Sequence, residues 1–151
     1  MCLSHFDHDL YRQYNFGVRE GDCYIIRKGS QRADLPNTFA GPIIDGLKET
    51  EIVEIFNKCK YCYCYDTQTF YASIAAVCGC IPIIIPEPGK TKKDYLNESE
   101  MYTPGLAWGT SQDEIEYAIN TRQELLNRLD FTERNRIGTD SFIQLALQHF
   151  K

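Results

Sequence analysis

Residues 61–89, YCYCYDTQTFYASIAAVCGCIPIIIPEPG, decide the fold. Their pattern predicts a strand, a polar turn, a buried helix ended by Gly79, an apolar strand and a Pro/Gly loop. That order is typical of a βαβ unit, in which a helix joins two parallel strands. Because ligands of open α/β sheets bind at the carboxyl ends of the strands, the polar turn is the first candidate for a functional site.

The rest of the chain continues the alternation of strands and helices. Further elements are predicted as a short helix at 9–16, strands at 22–27 and 105–108, a short strand or turn at 42–47, and helices at 49–58, 111–128 and 132–150. Asp66 is placed to cap the helix predicted at 67–77, and Ser111 with Glu114 forms a capping box. We therefore predict a three-layer, Rossmann-like α/β domain with a mainly parallel sheet and C-terminal helices.

Composition limits the classes of function. A chain of 151 residues with 43% apolar content suits one domain with a real core. A net charge of −5 excludes an overall basic surface for nucleic acid. The longest apolar run, 81–86, is too short to span a bilayer, and the first residues lack the apolar core of a signal peptide. We expect a single cytoplasmic domain over residues 1–151, with association at a membrane surface left open.

The seven cysteines are an odd number for a disulfide framework, and reduced thiols are expected without an export signal. The spacing of Cys59, Cys62 and Cys64, followed by Cys78 and Cys80, also raises the possibility of zinc. The first group, however, lacks the Gly or Pro of a zinc turn. We interpret the thiols as small buried hydrophobic groups and predict no metal and no cofactor, with a zinc-bound interaction domain as a minor alternative.

Polar residues occupy the predicted turn after the first strand of the βαβ unit. Tyr65, Asp66, Thr67 and Thr69 lie where a strand enters a helix, and free backbone N–H groups attract anions at such a place. The threonine hydroxyls would donate to phosphate oxygens. A plain capping role for Asp66 explains the same residues, and both interpretations stay open.

Arg27 and Lys28 follow the strand predicted at 22–27. Arginine offers a bidentate fork and lysine a point charge, so the pair would clamp a diphosphate, although ordinary surface charge is the competing interpretation. The ends of parallel strands lie on one edge of a sheet. We therefore predict that Arg27 and Lys28 converge with the 65–69 turn on one anion.

A Pro/Gly loop follows the apolar strand of the unit. Gly89 would let the backbone approach a ligand, and Glu87 would accept hydrogen bonds from ribose hydroxyls, with Lys90 beside them. A plain turn is the competing interpretation. Lys92 and Lys93 are interpreted as a solvated charge run, and Trp108 is interpreted as packing.

Residues 65–89, together with the Arg27-Lys28-Gly29 sequence before them, resemble the nucleotide-sugar-binding C-terminal half of GT-B glycosyltransferases. In that family a polar turn is followed by a helix of small residues, then Gly, Pro and an apolar strand. The matching pieces here are 69–76, 79–82 and 83–86. The resemblance covers residues 22–150 and leaves 1–21 as an N-terminal extension.

The resemblance implies a hexosyltransferase-like domain that binds a nucleotide-diphosphate sugar, in bacterial surface polysaccharide or lipopolysaccharide synthesis. The implied donor site consists of Arg27, Lys28, Tyr65, Asp66, Thr67, Thr69, Glu87, Gly89 and Lys90. The catalytic base would come from an N-terminal acceptor domain, for which 151 residues leave no room, so this domain alone is expected to transfer nothing.

One departure from the family pattern concerns ribose recognition. The chain lacks the family's spaced pair of acids between Thr67 and Gly79, so Asp66 or Glu87 would take that role. The alternative function is a non-catalytic α/β module that assembles with a partner chain and binds no nucleotide.

Overall fold

A four-stranded parallel sheet flanked by helices forms the body of the protein, in a computed structural model that describes residues 5–149 apart from the side chain of Arg134. The strands are β1 (Asp22–Ile25), β2 (Tyr61–Cys64), β3 (Ile81–Ile84) and β4 (Ala107–Trp108). In the register, Cys23 lies opposite Cys62 and Tyr63 lies opposite Ile83. This architecture confirms the predicted α/β class with Rossmann-like layers.

The strands follow one another across the sheet in chain order, β1-β2-β3-β4. One half of a Rossmann fold has this arrangement, whereas a complete one reverses direction and binds its ligand in the crevice at the reversal. Within residues 5–149 the sheet shows no reversal. The carboxyl edge is therefore shaped by the loops that follow the strands.

Four α-helices occur in the described part of the chain, namely α1 (Glu49–Lys58), α2 (Tyr71–Val77), α3 (Gln112–Leu129) and α4 (Thr132–His149). The bounds of α1 are those predicted, because Ile52 and Phe56 form a buried stripe against the sheet. Helix α4 runs without interruption through Gly138. Its predicted last residue, Phe150, lies outside the described residues.

The helix predicted at 9–16 is wrong, since the chain makes a turn at 8–10 and then runs without helix. Asn57 of α1, 1% exposed, holds this segment in place. Its Oδ1 accepts hydrogen bonds from the backbone N–H groups of Tyr14 (2.8 Å) and Asn15 (3.2 Å), and its Nδ2 donates to the carbonyl of Arg12 (3.0 Å). A buried amide thus overrides the local preference of the segment.

The start of α2 also differs from the prediction. The helix begins at Tyr71 and not at Thr67, and Asp66 is not its cap. Asp66 Oδ1 instead accepts a hydrogen bond from the N–H of Gln68 (3.2 Å), and Thr69 Oγ1 accepts one from the N–H of Tyr71 (3.2 Å). Two successive side-chain turns therefore replace the predicted first helical turn.

Helix α3 starts after Ser111 as predicted, but the capping box is only half formed. Ser111 Oγ accepts from the N–H of Glu114 (3.3 Å), while the Glu114 carboxylate accepts from the N–H of Trp108 (2.9 Å). Glu114 therefore ties α3 to β4. The segment predicted at 42–47 contributes one isolated bridge between Ile43 and Tyr24.

The core lies on both faces of the sheet. On one face, side chains of β1 and β2 pack against α1 and α2, and on the other Ile83 and Ala107 pack against Ala118 of α3. The predicted burial of the thiols is confirmed for the six described cysteines, all free: Cys23, Cys59, Cys62, Cys64, Cys78 and Cys80. Burial raises the pKa of Cys78 to about 11 and that of Cys62 well above its ordinary value, so both stay protonated.

Over residues 5–149, no group of three or more His, Cys, Asp or Glu side chains is arranged to hold a metal ion. None of the helices in the same range combines the length and apolar character needed to cross a membrane.

Candidate functional site

The loop after β1, residues 26–34, lies across the carboxyl edge of the sheet and is called the edge loop below. It begins with a backbone turn at Arg27, whose φ is 38°. Asp45 fixes this turn, because its Oδ2 accepts from the N–H groups of Ile26 (3.1 Å) and Arg27 (2.7 Å). A positive φ is uncommon outside glycine, and such strain concentrates at functional sites. The strand predicted to reach Arg27 therefore stops at Ile25.

Gly29 brings the edge loop into contact with the end of β2. A Cβ atom on Gly29 would lie 2.5 Å from the backbone oxygen of Tyr65, a distance no side chain tolerates. The loop can therefore pack against Tyr65 only because residue 29 has no side chain.

Arg32 is the residue at this edge that the sequence analysis missed. Its side chain is 7% exposed and donates to the carbonyl oxygens of Tyr65 (3.0 Å), Ile85 (2.6 Å) and Pro86 (3.1 Å). It also forms a bidentate pair with Asp34, with distances of 2.8 Å and 2.6 Å. Arg32 thus joins the ends of β2 and β3 to the edge loop. In sequence, this arginine and its neighbouring aspartate look like any solvated pair.

The predicted cations lie at the start of the edge loop. The Arg27 guanidinium lies 4.2 Å from the centroid of the Tyr71 ring at the start of α2, and its Nε is 4.0 Å from Asp45 Oδ1. The Arg27 side chain is 41% exposed. Lys28 is exposed as well, and within residues 5–149 it has no hydrogen-bond or ion-pair partner. Two cations therefore face solvent at the carboxyl end of β1.

The carboxylate of Glu49, close to the Tyr71 ring, already has two hydrogen-bond partners. The two carboxylate oxygens of Glu49 accept hydrogen bonds from the hydroxyls of Tyr71 and Tyr11, the second at 2.6 Å. These bonds and burial raise the pKa of both phenols. Glu49 thus fixes the Tyr71 ring on which Arg27 rests.

The predicted 65–69 turn is divided between two environments. Tyr65 is half-buried beneath the edge loop, 5.2 Å from the Arg32 guanidinium, and burial raises the pKa of its phenol. Asp66 is 6% exposed. Thr67 and Thr69 line an open cleft of about 420 Å³ with Trp108, and neither Arg27 nor Lys28 lines it.

The predicted convergence on one anion is therefore met only in part. Arg27 reaches Tyr71, whose N–H is bonded to Thr69, so the cations adjoin the turn. The threonine hydroxyls nevertheless belong to a different cavity from the cations.

The loop after β3 is a plain turn stabilised by its own side chains. The Glu87 carboxylate accepts from Lys90 Nζ (3.1 Å), and the Tyr95 hydroxyl accepts from the N–H of Glu87 (2.8 Å). Gly89 has a φ of 79° with open space around it. Glu87 lines a separate cleft of about 390 Å³ with Arg32 and with Asp34. Lys90 is thus paired, and neither Arg27 nor Lys28 lines the cleft of Glu87.

The interpretation of Lys92 as solvated charge is wrong, whereas Lys93 is exposed as predicted. Lys92 is half-buried, with its Nζ 5.7 Å from the Trp108 ring centroid and 6.0 Å from that of Tyr117. Burial lowers the pKa of its ammonium group. Trp108 does pack at the end of β4, but it also lines the 420 Å³ cleft, and its buried Nε1 has no hydrogen-bond partner among the described residues.

A larger cleft of about 570 Å³ lies beside the C-terminal end of α2. One of its two lining arginines, Arg122, donates to the carbonyl oxygens of Ala76 (2.6 Å) and Val77 (2.9 Å) and to Gln13 Oε1 (3.0 Å). Because its donors complete the end of a helix, this cleft is a structural junction and not the candidate site.

Fold and site together define a parallel α/β domain with exposed cations at the carboxyl edge of its sheet, next to a cleft lined by hydroxyl groups. No family model, no curated protein and no solved structure matches the chain. The resemblance to GT-B glycosyltransferases therefore stays a prediction.

Proposed function

We propose that this chain is the donor-binding domain of a glycosyltransferase, with Arg27 and Lys28 holding the diphosphate of a nucleotide-diphosphate sugar. The observation that carries the proposal is an exposed cation pair on a strained turn at the end of a parallel strand. Following the resemblance, the product would be a bacterial surface polysaccharide.

The strain at Arg27 supports a role for its side chain. A non-glycine residue at positive φ costs about 1–3 kcal/mol, and glycine would adopt the same turn freely. Asp45 and Tyr71 orient the guanidinium while leaving it 41% exposed. Lys28 adds a charge with no partner among the described residues. A planar fork beside a point charge suits the oxygens of a diphosphate.

In a complete enzyme, these cations would stabilise the negative charge that develops on the departing nucleoside diphosphate. Fixed positive groups aimed at a leaving anion lower the barrier to transfer. The base and the acceptor-binding surface would come from a separate domain, so this chain alone binds donor without transferring sugar.

Replacing Arg27 with glycine is expected to separate stability from binding. Loss of the cation–π contact with Tyr71, worth about 0.5–1 kcal/mol, offsets the relief of backbone strain, so stability should be unchanged or higher. Loss of the charged fork should weaken binding of UDP-sugars or GDP-sugars, which carry the diphosphate, by about tenfold or more. Urea titration measures the stability, and calorimetry measures the affinity for the nucleotide-sugar.

Arg128→Ala is the matched control, because Arg128 is a surface arginine paired with Glu124 on α3. It should leave nucleotide affinity unchanged. Unchanged affinity in Arg27→Gly would show that Arg27 does not hold the diphosphate. Absence of binding by any of the nucleotides at millimolar concentration would overturn the proposed function for this chain.

A second candidate function, assembly with a partner chain, is favoured by α4. Its large apolar side chains are between 46% and 59% exposed, and they are Ile137, Phe142, Ile143, Leu145 and Leu147. Sedimentation analysis of the chain alone would reveal self-assembly, and sedimentation with a candidate partner protein would reveal a mixed assembly. Partner binding without nucleotide binding would favour this second function.

A further inference from the structure

We propose that the 420 Å³ cleft, called the hydroxyl cleft below, binds an uncharged hydroxyl-bearing ring, a pyranose, and excludes phosphate. The inference rests on the proposed function, because it places the sugar of the donor in the hydroxyl cleft and the diphosphate outside it at Arg27. The cleft is lined by Thr67, Gln68, Thr69, Phe70, Ser73, Ile84, Leu96, Glu100, Thr103, Leu106 and Trp108. Its volume falls in the range of small-molecule sites.

Three hydroxyl groups of the lining have capacity for a ligand. Within residues 5–149, the hydroxyls of Thr67 and Ser73 form no hydrogen bond. Thr69 Oγ1 accepts from the N–H of Tyr71, which leaves its proton to donate. Neutral hydroxyls both donate and accept, and this matches the hydroxyls of a sugar ring.

Charge argues against phosphate in the same place. Glu100 is the charged member of the lining, and no lysine or arginine belongs to it. An anion in the cleft would therefore meet the Glu100 carboxylate and no cation of the lining, since Lys92 lies against the Trp108 ring without lining the cleft. A ring hydroxyl, in contrast, can donate to that carboxylate. In this proposal Thr67 and Thr69 hold a sugar ring, in place of the phosphate that the sequence predicted.

Apolar and unsatisfied groups complete the cleft. Phe70 and Trp108 supply aromatic surface that suits the C–H face of a pyranose. Trp108 Nε1 and Thr103 Oγ1 are buried without any hydrogen-bond partner in the described chain. Such orphaned groups are costly, and each calls for an explanation. Ring hydroxyls would satisfy both once the wall carrying Thr103 moves outward.

Two contacts tie this wall to the rest of the cleft. Gln68 Nε2 donates to the carbonyl of Tyr95 (3.1 Å), and Lys92 rests against Trp108. These contacts connect the 66–70 turn and β4 to the segment that carries Leu96, Glu100 and Thr103. We expect an outward movement of that segment on sugar binding to stretch or break them.

Trp108 is the single tryptophan of the chain, so its fluorescence reports on the hydroxyl cleft. Methyl glycosides of glucose, galactose and N-acetylglucosamine would be titrated to about 100 mM, since isolated sugars bind weakly, and inorganic pyrophosphate would be titrated in parallel. At least one glycoside should change Trp108 emission and shift the amide NMR signals of Thr67 and Ser73. Pyrophosphate should shift Arg27 and Lys28 and leave the cleft signals in place.

Thr103→Val should change stability and glycoside affinity in opposite directions. Removing an orphaned hydroxyl at constant shape should raise the melting temperature of the free protein, yet weaken glycoside binding by about fivefold. Thr38→Val, at an exposed loop position, should change neither quantity. Ser73→Ala, which removes a hydroxyl without a partner, should weaken glycoside binding without lowering stability.

The outcomes separate the two proposals. If no glycoside binds, or if pyrophosphate shifts the cleft signals, the assignment of the hydroxyl cleft is overturned while nucleotide binding at Arg27 can stand. If glycosides bind and no nucleotide does, the cleft assignment stands and the donor-domain function is overturned. Equal glycoside affinity in Thr103→Val and the parent chain would show that the Thr103 hydroxyl does not bind the sugar.

Discussion

Replacing Arg32 with alanine is expected to lower the free energy of unfolding by about 1.5–3 kcal/mol, because the Arg32 side chain is 7% exposed whereas its partner Asp34 is 23% exposed and keeps part of its hydration. The change leaves Asp34 without its partner and three carbonyl oxygens, on Tyr65, Ile85 and Pro86, without their donor. Urea denaturation followed by circular dichroism measures the loss. Arg32→Lys should recover only part of it, because an ammonium group cannot reproduce the planar fork.

Arg128→Ala is the control for this prediction also. Its pair with Glu124 is about half exposed and should contribute less than about 1 kcal/mol. If Arg32→Ala lost no more stability than Arg128→Ala, the assigned role of Arg32 in joining the strand ends would be wrong.

The same pair predicts a pH dependence. Arg32 holds the pKa of Asp34 below its ordinary value of 3.8, chiefly through their hydrogen bonds. Because the pKa of Asp34 is lower in the folded protein, the carboxylate stabilises the fold at pH values above its ordinary pKa. This contribution is lost as the pH falls through the pKa of the folded protein. Acid unfolding below about pH 4 should therefore be less steep in Arg32→Ala than in the parent chain.

Replacing Gly29 with alanine is expected to cost about 2–3 kcal/mol, in the range of forced overpacking. The added Cβ would lie 2.5 Å from the backbone oxygen of Tyr65, so the edge loop must lift from β2. Lifting the loop displaces Arg27 and Lys28. Affinity for nucleotide should therefore fall together with stability, unlike the result for Arg27→Gly.

Gly138→Ala provides the matched control for this substitution. Gly138 lies inside α4, and none of the described atoms comes within 4 Å of an added Cβ, so alanine should favour the helix by about 0.5–1 kcal/mol. A Gly29→Ala protein of parental stability would show that the edge loop does not depend on this close approach.

Hydrophobic pattern was sufficient to predict most of the fold. The buried stripe of α1 repeats at helix spacing, and β3, predicted at 81–85, is a continuous apolar run, so the bounds of both agree with the structure to within a residue. The predictions of a helix at 9–16 and of a start of α2 at Thr67 were wrong for the same reason. In both, a side chain binds backbone groups that a helix would use, through Asn57 in one case and Thr69 in the other.

The site was predicted less completely than the fold. Placing Arg27 and Lys28 at a strand end required only the order of elements, whereas the role of Arg32 depends on contacts with residues more than thirty positions away. Lys92 likewise required knowledge of Trp108 and Tyr117. Which cavity receives the side chains of Thr67 and Thr69 depends on loop packing, which periodicity does not encode.

The buried thiols give the molecule a built-in reporter of its own opening. Alkylating reagents must reach the sulfur atom, so buried thiols react only after local or global unfolding. Cys23 lies on β1, Cys62 on β2, and Cys80 directly before β3. Labelling rates at each thiol, read by mass spectrometry, would show whether these strands separate together or one after another.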